Sequence, residues 1–170
     1  MTTDIRLHCG LVALIDDADA ELVQRFAWHA TRRAQSWYVV NSTYSAERIR
    51  GSQYLHALLT GYSRTDHANG DGLDNRRSNL RPATRAQNMH NMRAHRAGTS
   101  RFKGVSWNKQ RGLWRASMGF DARQYHLGYF SDETAAARAY DAKARDLFGA
   151  YAALNFPADG EQSALARGSV

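Results

Sequence analysis

At 170 residues the chain has room for one medium domain or two small ones. Its 43% hydrophobic and 11% aromatic content excludes wholesale disorder, and a net charge of +7 with a pI near 9.9 favours a polyanionic partner. The single cysteine, Cys9, excludes a disulfide framework and a cysteine-rich zinc cluster, and reads as a buried small hydrophobe.

Residues 1–53 read as a strand-rich lobe. Ile5-Arg6-Leu7 alternates, Leu11 to Ile15 is a short apolar run bounded by Gly10 and Asp16-Asp17, and Trp37 to Val40 is a further strand. A short helix is expected over Asp19 to Phe26. The lobe is either a lid that completes the segment after it or a surface that touches nucleic acid through Arg32, Arg33, Arg48 or Arg50.

Residues 54–91 carry the chemistry. An acid and a histidine adjoin at Asp66-His67, a turn-rich loop runs from Ala68 to Arg77, and Asn79-Leu80-Arg81 begins a return segment. Thr84 and Gln87 form the T-x-x-Q pattern of a capping box, with Asn88 in the first turn of the helix it opens. The implied order is strand, loop, strand, helix. A hard divalent ion such as Mg2+ or Mn2+ takes oxygen ligands, and the Asp66 carboxylate and Asn88 amide oxygen are two of these. The His67 imidazole titrates near neutrality and can take a proton from water, with Asn79 able to fix its tautomer through the side-chain oxygen. His56, in Tyr-Leu-His-x-Leu-Leu, either contacts the cleaved phosphate or is a structural histidine.

The spacing of these residues resembles the HNH endonucleases of the phage and intron homing type. Asn79 follows His67 by twelve positions and Asn88 follows it by twenty-one. The resemblance implies a ββα-metal core with His67 as general base, Asn79 orienting it, and Asp66 and Asn88 holding a metal ion. Asn88 stands where the family's name calls for a third histidine, a substitution found in the homing branch. The lobe ahead of it, with ALIDDADAELVQRFAWHA, resembles the N-terminal part of many phage HNH proteins.

Met92 to Ser100 reads as a basic linker. Beyond it, three strands are expected at Phe102–Trp107, Leu113–Phe120 and Gln124–Tyr129. The second places Trp114, Ala116, Met118 and Phe120 on one face and Arg115 and Ser117 on the other. Ser131 reads as the N-cap of an alanine-rich helix, Thr134 to Phe148, stopped by Gly149. Residues 158–170 read as a frayed polar tail. Between Asp74 and Arg115 there are eleven Arg or Lys and one acid, whereas the first twenty-one residues hold five acids and one Arg. That asymmetry suits a nucleic-acid face, to which Arg76 and Arg77 would belong.

Residues 101–157 resemble the APETALA-two type domain of plant ethylene-response factors. The carriers are Lys103-Gly104-Val105, Gly112-x-Trp114-x-Ala116, His126-Leu127-Gly128-Tyr129-Phe130, Ala135-Ala136-x-x-Ala139-Tyr140-Asp141 and Leu154-Asn155-Phe156-Pro157. The resemblance implies a three-stranded antiparallel sheet on one helix, with the sheet in the major groove of double-stranded DNA. Carried over, the contacts fall on Lys103, Ser106, Asn108, Arg115, Ser117, Gln124 and His126, and Trp107, Lys109, Arg111 and Arg123 add phosphate contacts. Ser106, Asn108 and His126 suit bidentate guanine contacts less well than Arg, so the resemblance does not imply the plant sequence preference.

The chain is therefore expected to be an α+β protein: lobe, nuclease core, linker and DNA-binding domain. The expected activity is a metal-dependent, site-directed DNA endonuclease, acting as a monomer or DNA-bound dimer. The alternative is a decayed nuclease that binds DNA without cutting it. No run of eighteen apolar residues occurs, so a soluble intracellular protein with no membrane partner is expected.

Overall fold

The computed structural model describes residues 1–33, 36–44, 50–62, 64–91 and 98–165. Arg48 and linker residues 92–97 lie outside these. The fold is α+β and divides into two compact units, Met1–Arg85 and Ala86–Val170.

The first unit begins with a hairpin of β1 (Thr2–Arg6) and β2 (Val12–Asp16). Its turn carries Gly10 at φ 81°, and Cys9 beside it is exposed, not buried as expected. A 3-10 turn at Asp17–Asp19 runs into α1 (Ala20–Gln24). A three-stranded antiparallel sheet follows: β3 (His29–Arg33), β4 (Ser36–Tyr44) and β5 (Arg50–Tyr54), with β4 central. The chain passes directly into α2 (Leu55–Thr60), closed by Gly61 at φ 70°. Then come β6 (Thr65–His67) and β7 (Leu80–Pro82), paired antiparallel around the long loop. Leu7, Ala13, Ile15, Val23, Trp28 and Val39 share one apolar core with Leu55, Leu59 and Leu80. The strand-rich lobe and the Asp66-His67 segment are thus stabilised by the same buried surface.

Helix α3 (Arg85–His90) starts directly after Thr84, where the capping pattern puts it. The second unit continues with β8 (Val105–Asn108), β9 (Leu113–Phe120) and β10 (Arg123–Phe130), antiparallel in the order β10-β9-β8. Helix α4 (Glu133–Phe148) packs on one face. Its N-cap is Asp132 rather than Ser131: the Asp132 carboxylate accepts the Ala135 N–H at 2.8 Å. Ala136, Ala137 and Ala144 are fully buried, and their small side chains let the helix lie close to Val105, Ala116 and Met118.

Two contacts explain why the residues carrying the plant-domain resemblance occur together. Gly104, at φ 75°, lies against the Tyr140 ring, where a Cβ would overlap the ring carbons. Asp141 is buried and accepts N–H bonds from Asn155 at 2.8 Å and Phe156 at 2.7 Å. The Asn155 amide in turn accepts from Lys103 N and donates to Lys103 O. This clamp ties α4, the chain after it and the start of the sheet together.

Both expected boundaries of this block move outward. Ser100 belongs to it, donating to Glu133 at 2.6 Å and accepting the Phe102 N–H at 3.0 Å, and Thr99 accepts the Trp107 N–H. Residues 158–165, expected to fray, fold back: β12 (Gln162–Ser163) pairs in parallel with β11 (Ala153–Leu154), and Ala164 is fully buried. Arg145 fixes the return by pairing with Glu161 at 2.7 Å. Among the described residues no helix is long and apolar enough to cross a membrane.

Candidate active site and nucleic-acid interface

Strand β6 sets Asp66 opposite Arg81 and His67 opposite Leu80. Asp66 and His67 are both buried, at 7% and 5% exposure. The loop between the strands is closed by its own asparagines. The Asn79 carbonyl accepts the Ala68 N–H at 2.8 Å, and Asn79 Oδ1 accepts the Asn69 N–H at 2.9 Å. Asn79 Nδ2 donates to Asn69 Oδ1 and to the Asp74 carbonyl. The expected role of Asn79, orienting His67 through its side-chain oxygen, is therefore corrected: that oxygen holds the loop backbone.

The side chain facing His67 Nε2 is Asn75, whose Oδ1 lies 3.4 Å away. Asn75 is fully buried, its Nδ2 donates to the Gly72 and Leu73 carbonyls, and its N–H donates to Leu14 O at 2.7 Å. The loop also presses against β4. At Gly72 a Cβ would overlap the Trp37 carbonyl oxygen and the Tyr38 ring, so glycine is required there by contact. Tyr38 then meets the His67 ring, with centroids 5.9 Å apart.

His56, at the start of α2, stacks on Tyr54 and meets His67 edge-on, each at 5.1 Å between ring centroids. Its Nδ1 is buried with no hydrogen-bond partner. Burial, with the neighbouring His67, pulls the His56 pKa down to about 4, so this ring is neutral at pH 7. Burial also lowers the pKa of His67, against the opposing effects of Asn75, Asp66, Asp71 and Asp74.

Arg76 and Arg77, expected as DNA contacts, are each paired with a carboxylate. Arg76 forks onto Asp74 at 2.6 and 2.8 Å, and that pairing holds the Asp74 carboxyl below its usual range. Arg77 forks onto buried Asp19, and its N–H donates to Asp16 at 2.7 Å. The Arg76 pair lies within the loop, and Arg77 fastens the loop to the turn after the first hairpin.

Asp66 is itself paired: Arg81 Nε donates to its Oδ2 at 2.8 Å, with Nη2 at 2.7 Å. Asn88, on α3, has a buried Oδ1 with no hydrogen-bond partner. A carboxylate and an orphaned amide oxygen are the donors a hard ion takes, so the residue types fit a divalent metal. Among the described residues no group of three His, Cys, Asp or Glu gathers as a metal cluster. Asp66 belongs to the first compact unit and Asn88 to the second.

In the second unit the sheet face away from α4 gathers most of the expected DNA contacts. The β8–β9 register pairs Ser106 with Arg115 and Asn108 with Leu113, and the β9–β10 register pairs Ser117 with His126 and Gly119 with Gln124. Arg115, Gln124 and His126 are exposed. Asn108 is corrected from base reader to turn cap, since its Oδ1 accepts the Arg111 N–H at 2.9 Å. Trp107 pairs with Trp114, with ring centroids 5.0 Å apart, and so sits on the α4 side of the sheet, as does Arg123 opposite Phe120. Lys109 and Arg111 are exposed in the β8–β9 turn, whereas Lys103 is half-buried, its pKa lowered to about 8 by burial.

Tyr129 was not expected on this face. Strict alternation sets it with Tyr125 and Leu127 toward the helix. A bulge between His126 and Gly128, with Gly128 at φ 131°, inserts one residue and turns Tyr129 outward opposite Arg115. Its ring lies 4.7 Å from His126 and carries the Arg111 guanidinium at 4.5 Å. The Leu-Gly step was the only sequence signal.

Over 62 residues the chain is 36% identical to Protein 3.8 of Escherichia phage T7, and over 103 residues it is 31% identical to an AP2-like ethylene-responsive transcription factor of Arabidopsis thaliana. These stretches cover 36% and 59% of this chain, but only 51% of the phage protein and 23% of the plant factor. No family model matches the chain. The similarity to the plant factor is compatible with DNA binding.

Proposed function

We propose that the chain is a metal-dependent DNA endonuclease of the HNH homing type, gripping duplex DNA with its C-terminal sheet. The observation that carries this reading is the setting of His67. It is buried beside Asp66 on a short strand and backed by a loop that four polar side chains hold closed: Asn69, Asp74, Asn75 and Asn79. Two of them, Asn75 and Asn79, are buried amides, and such a setting suits a base that must keep one orientation.

In this reading His67 accepts the proton of the attacking water. Its lowered pKa keeps it in the neutral, proton-accepting form. Asp66 would hold the divalent ion, which supplies charge stabilisation to the phosphate and the departing 3' oxygen. Asn79 acts at one remove, by fixing the loop. The acid limb of the pH–rate profile is then expected below pH 6.5, the unperturbed histidine value. Single-turnover cutting of a duplex from pH 5 to 8 checks this; a limb above 6.5 would mean His67 is not the group titrating.

On the sheet, Arg115→Ala is expected to weaken duplex binding about tenfold and to reduce the salt slope by about one. His126→Ala and Tyr129→Ala are expected to weaken binding with little change in that slope. Fluorescence anisotropy at three salt concentrations separates the two behaviours.

The Asp66–Arg81 pair favours a second reading, a DNA-binding protein that no longer cuts, because a carboxylate already neutralised has less need of a metal. It predicts duplex binding without turnover in any divalent ion.

A further inference from the structure

The Asp66–Arg81 pair is a cross-strand contact inside the candidate site, with the two side chains only 8% and 20% exposed. Arg81 Nε and Nη2 both reach one carboxylate oxygen, Oδ2. Arg76 and Arg77 are paired as well, but on Asp74 and Asp19, carboxylates with no part in the proposed reaction, and both are more exposed than Arg81. Arg81 is therefore the basic group placed on the carboxylate that would hold the ion.

Charge decides what this pair can do. Asp66 and Arg81 together are neutral. A dication added at Asp66 meets a fixed positive charge within a few ångströms, in a buried setting where screening is weak. A phosphodiester oxygen supplies the missing negative charge, and a guanidinium fork matches phosphate as well as it matches carboxylate. We propose that Arg81 is a phosphate-binding residue of the site that shares Asp66 with the ion, so that metal and DNA bind cooperatively. Without DNA, Arg81 occupies Asp66 and weakens metal binding. With DNA, Arg81 turns toward the scissile phosphate or its neighbour and Asp66 is released to the metal. The inference rests on the nuclease reading and adds a partner that neither the spacing nor the comparisons assign.

The test measures Mn2+ binding to the full chain by electron paramagnetic resonance, in a His67→Ala background that prevents cutting. A duplex is expected to tighten Mn2+ binding about tenfold, and by linkage Mn2+ tightens duplex binding equally. Adding Arg81→Gln is expected to tighten DNA-free Mn2+ binding at least about threefold and to reduce the duplex effect below about twofold. Arg81→Lys keeps the charge and loses the fork, so DNA-free affinity should stay within about twofold while the duplex effect falls at least about threefold. If Arg81→Gln does not fold, the lysine variant decides. An unchanged duplex effect in the variant that folds overturns the proposal and leaves the nuclease reading standing. Mn2+ affinity unmoved by Asp66→Ala removes both, because Asp66 then holds no ion.

Discussion

His67→Ala is expected to slow cutting of a duplex substrate about a thousandfold while leaving duplex affinity within a few-fold of the parent. The size follows from what is removed. A positioned general base contributes typically two to four orders of magnitude. His56 lies close by, with ring centroids 5.1 Å apart, but burial pulls its pKa down to about 4, which makes it a weaker base. Affinity should survive because the sheet residues proposed to grip DNA belong to the other compact unit. Single-turnover kinetics on a labelled duplex, with anisotropy on the same duplex in Ca2+, give the two numbers. Loss of affinity in step with rate would make His67 a structural residue.

The largest expected effect on folding is at Gly104. Alanine there is expected to cost about 3 to 5 kcal/mol, from a left-handed backbone carrying a Cβ and from overlap with a buried ring. The backbone is at φ 75°, and the obstructing atoms are the Tyr140 ring and the Ser117 carbonyl. Neither can retreat: Tyr140 is 4% exposed, and the Gly104 carbonyl accepts the Ser117 N–H at 2.9 Å. Hydrogen exchange resolves the effect by region. Amides of β8 to β10 and α4 should lose protection, while those of β1 and β2 keep theirs. A loss of less than about 1 kcal/mol would show that the Tyr140 ring is not seated as described.

The sequence was most informative where structure is local. Asp66-His67 lies on a strand, Arg81 on its return partner, and α3 starts after Thr84, all within the short-range pattern of turns and caps. Alternation along β9 separated buried Ala116 and Met118 from exposed Arg115 for the same reason. What failed depended on partners distant in sequence or on one-residue irregularities. Arg77 looked like a free cation because its acceptor, Asp19, is 58 residues away. The role of Asn79 changed because loop closure brings Asn69, ten residues back, against its amide. Tyr129 faces outward because of a single bulge, and no periodicity carries that. The folded segment 158–165 was hidden by its polarity, since a two-residue strand pairing, buried Gln162 and Ala164 and the Arg145–Glu161 pair hold it down.

The central claim is that this chain cuts DNA with a metal held at Asp66. The most direct measurement is relaxation of supercoiled plasmid by the purified chain in Mg2+ or Mn2+, alongside Asp66→Ala prepared in parallel. Ion-dependent conversion to nicked or linear DNA by the parent, stopped by chelator and absent from the variant, is the expected result. Equal conversion by both proteins, or none by the parent in either ion while it still binds the plasmid, would contradict it.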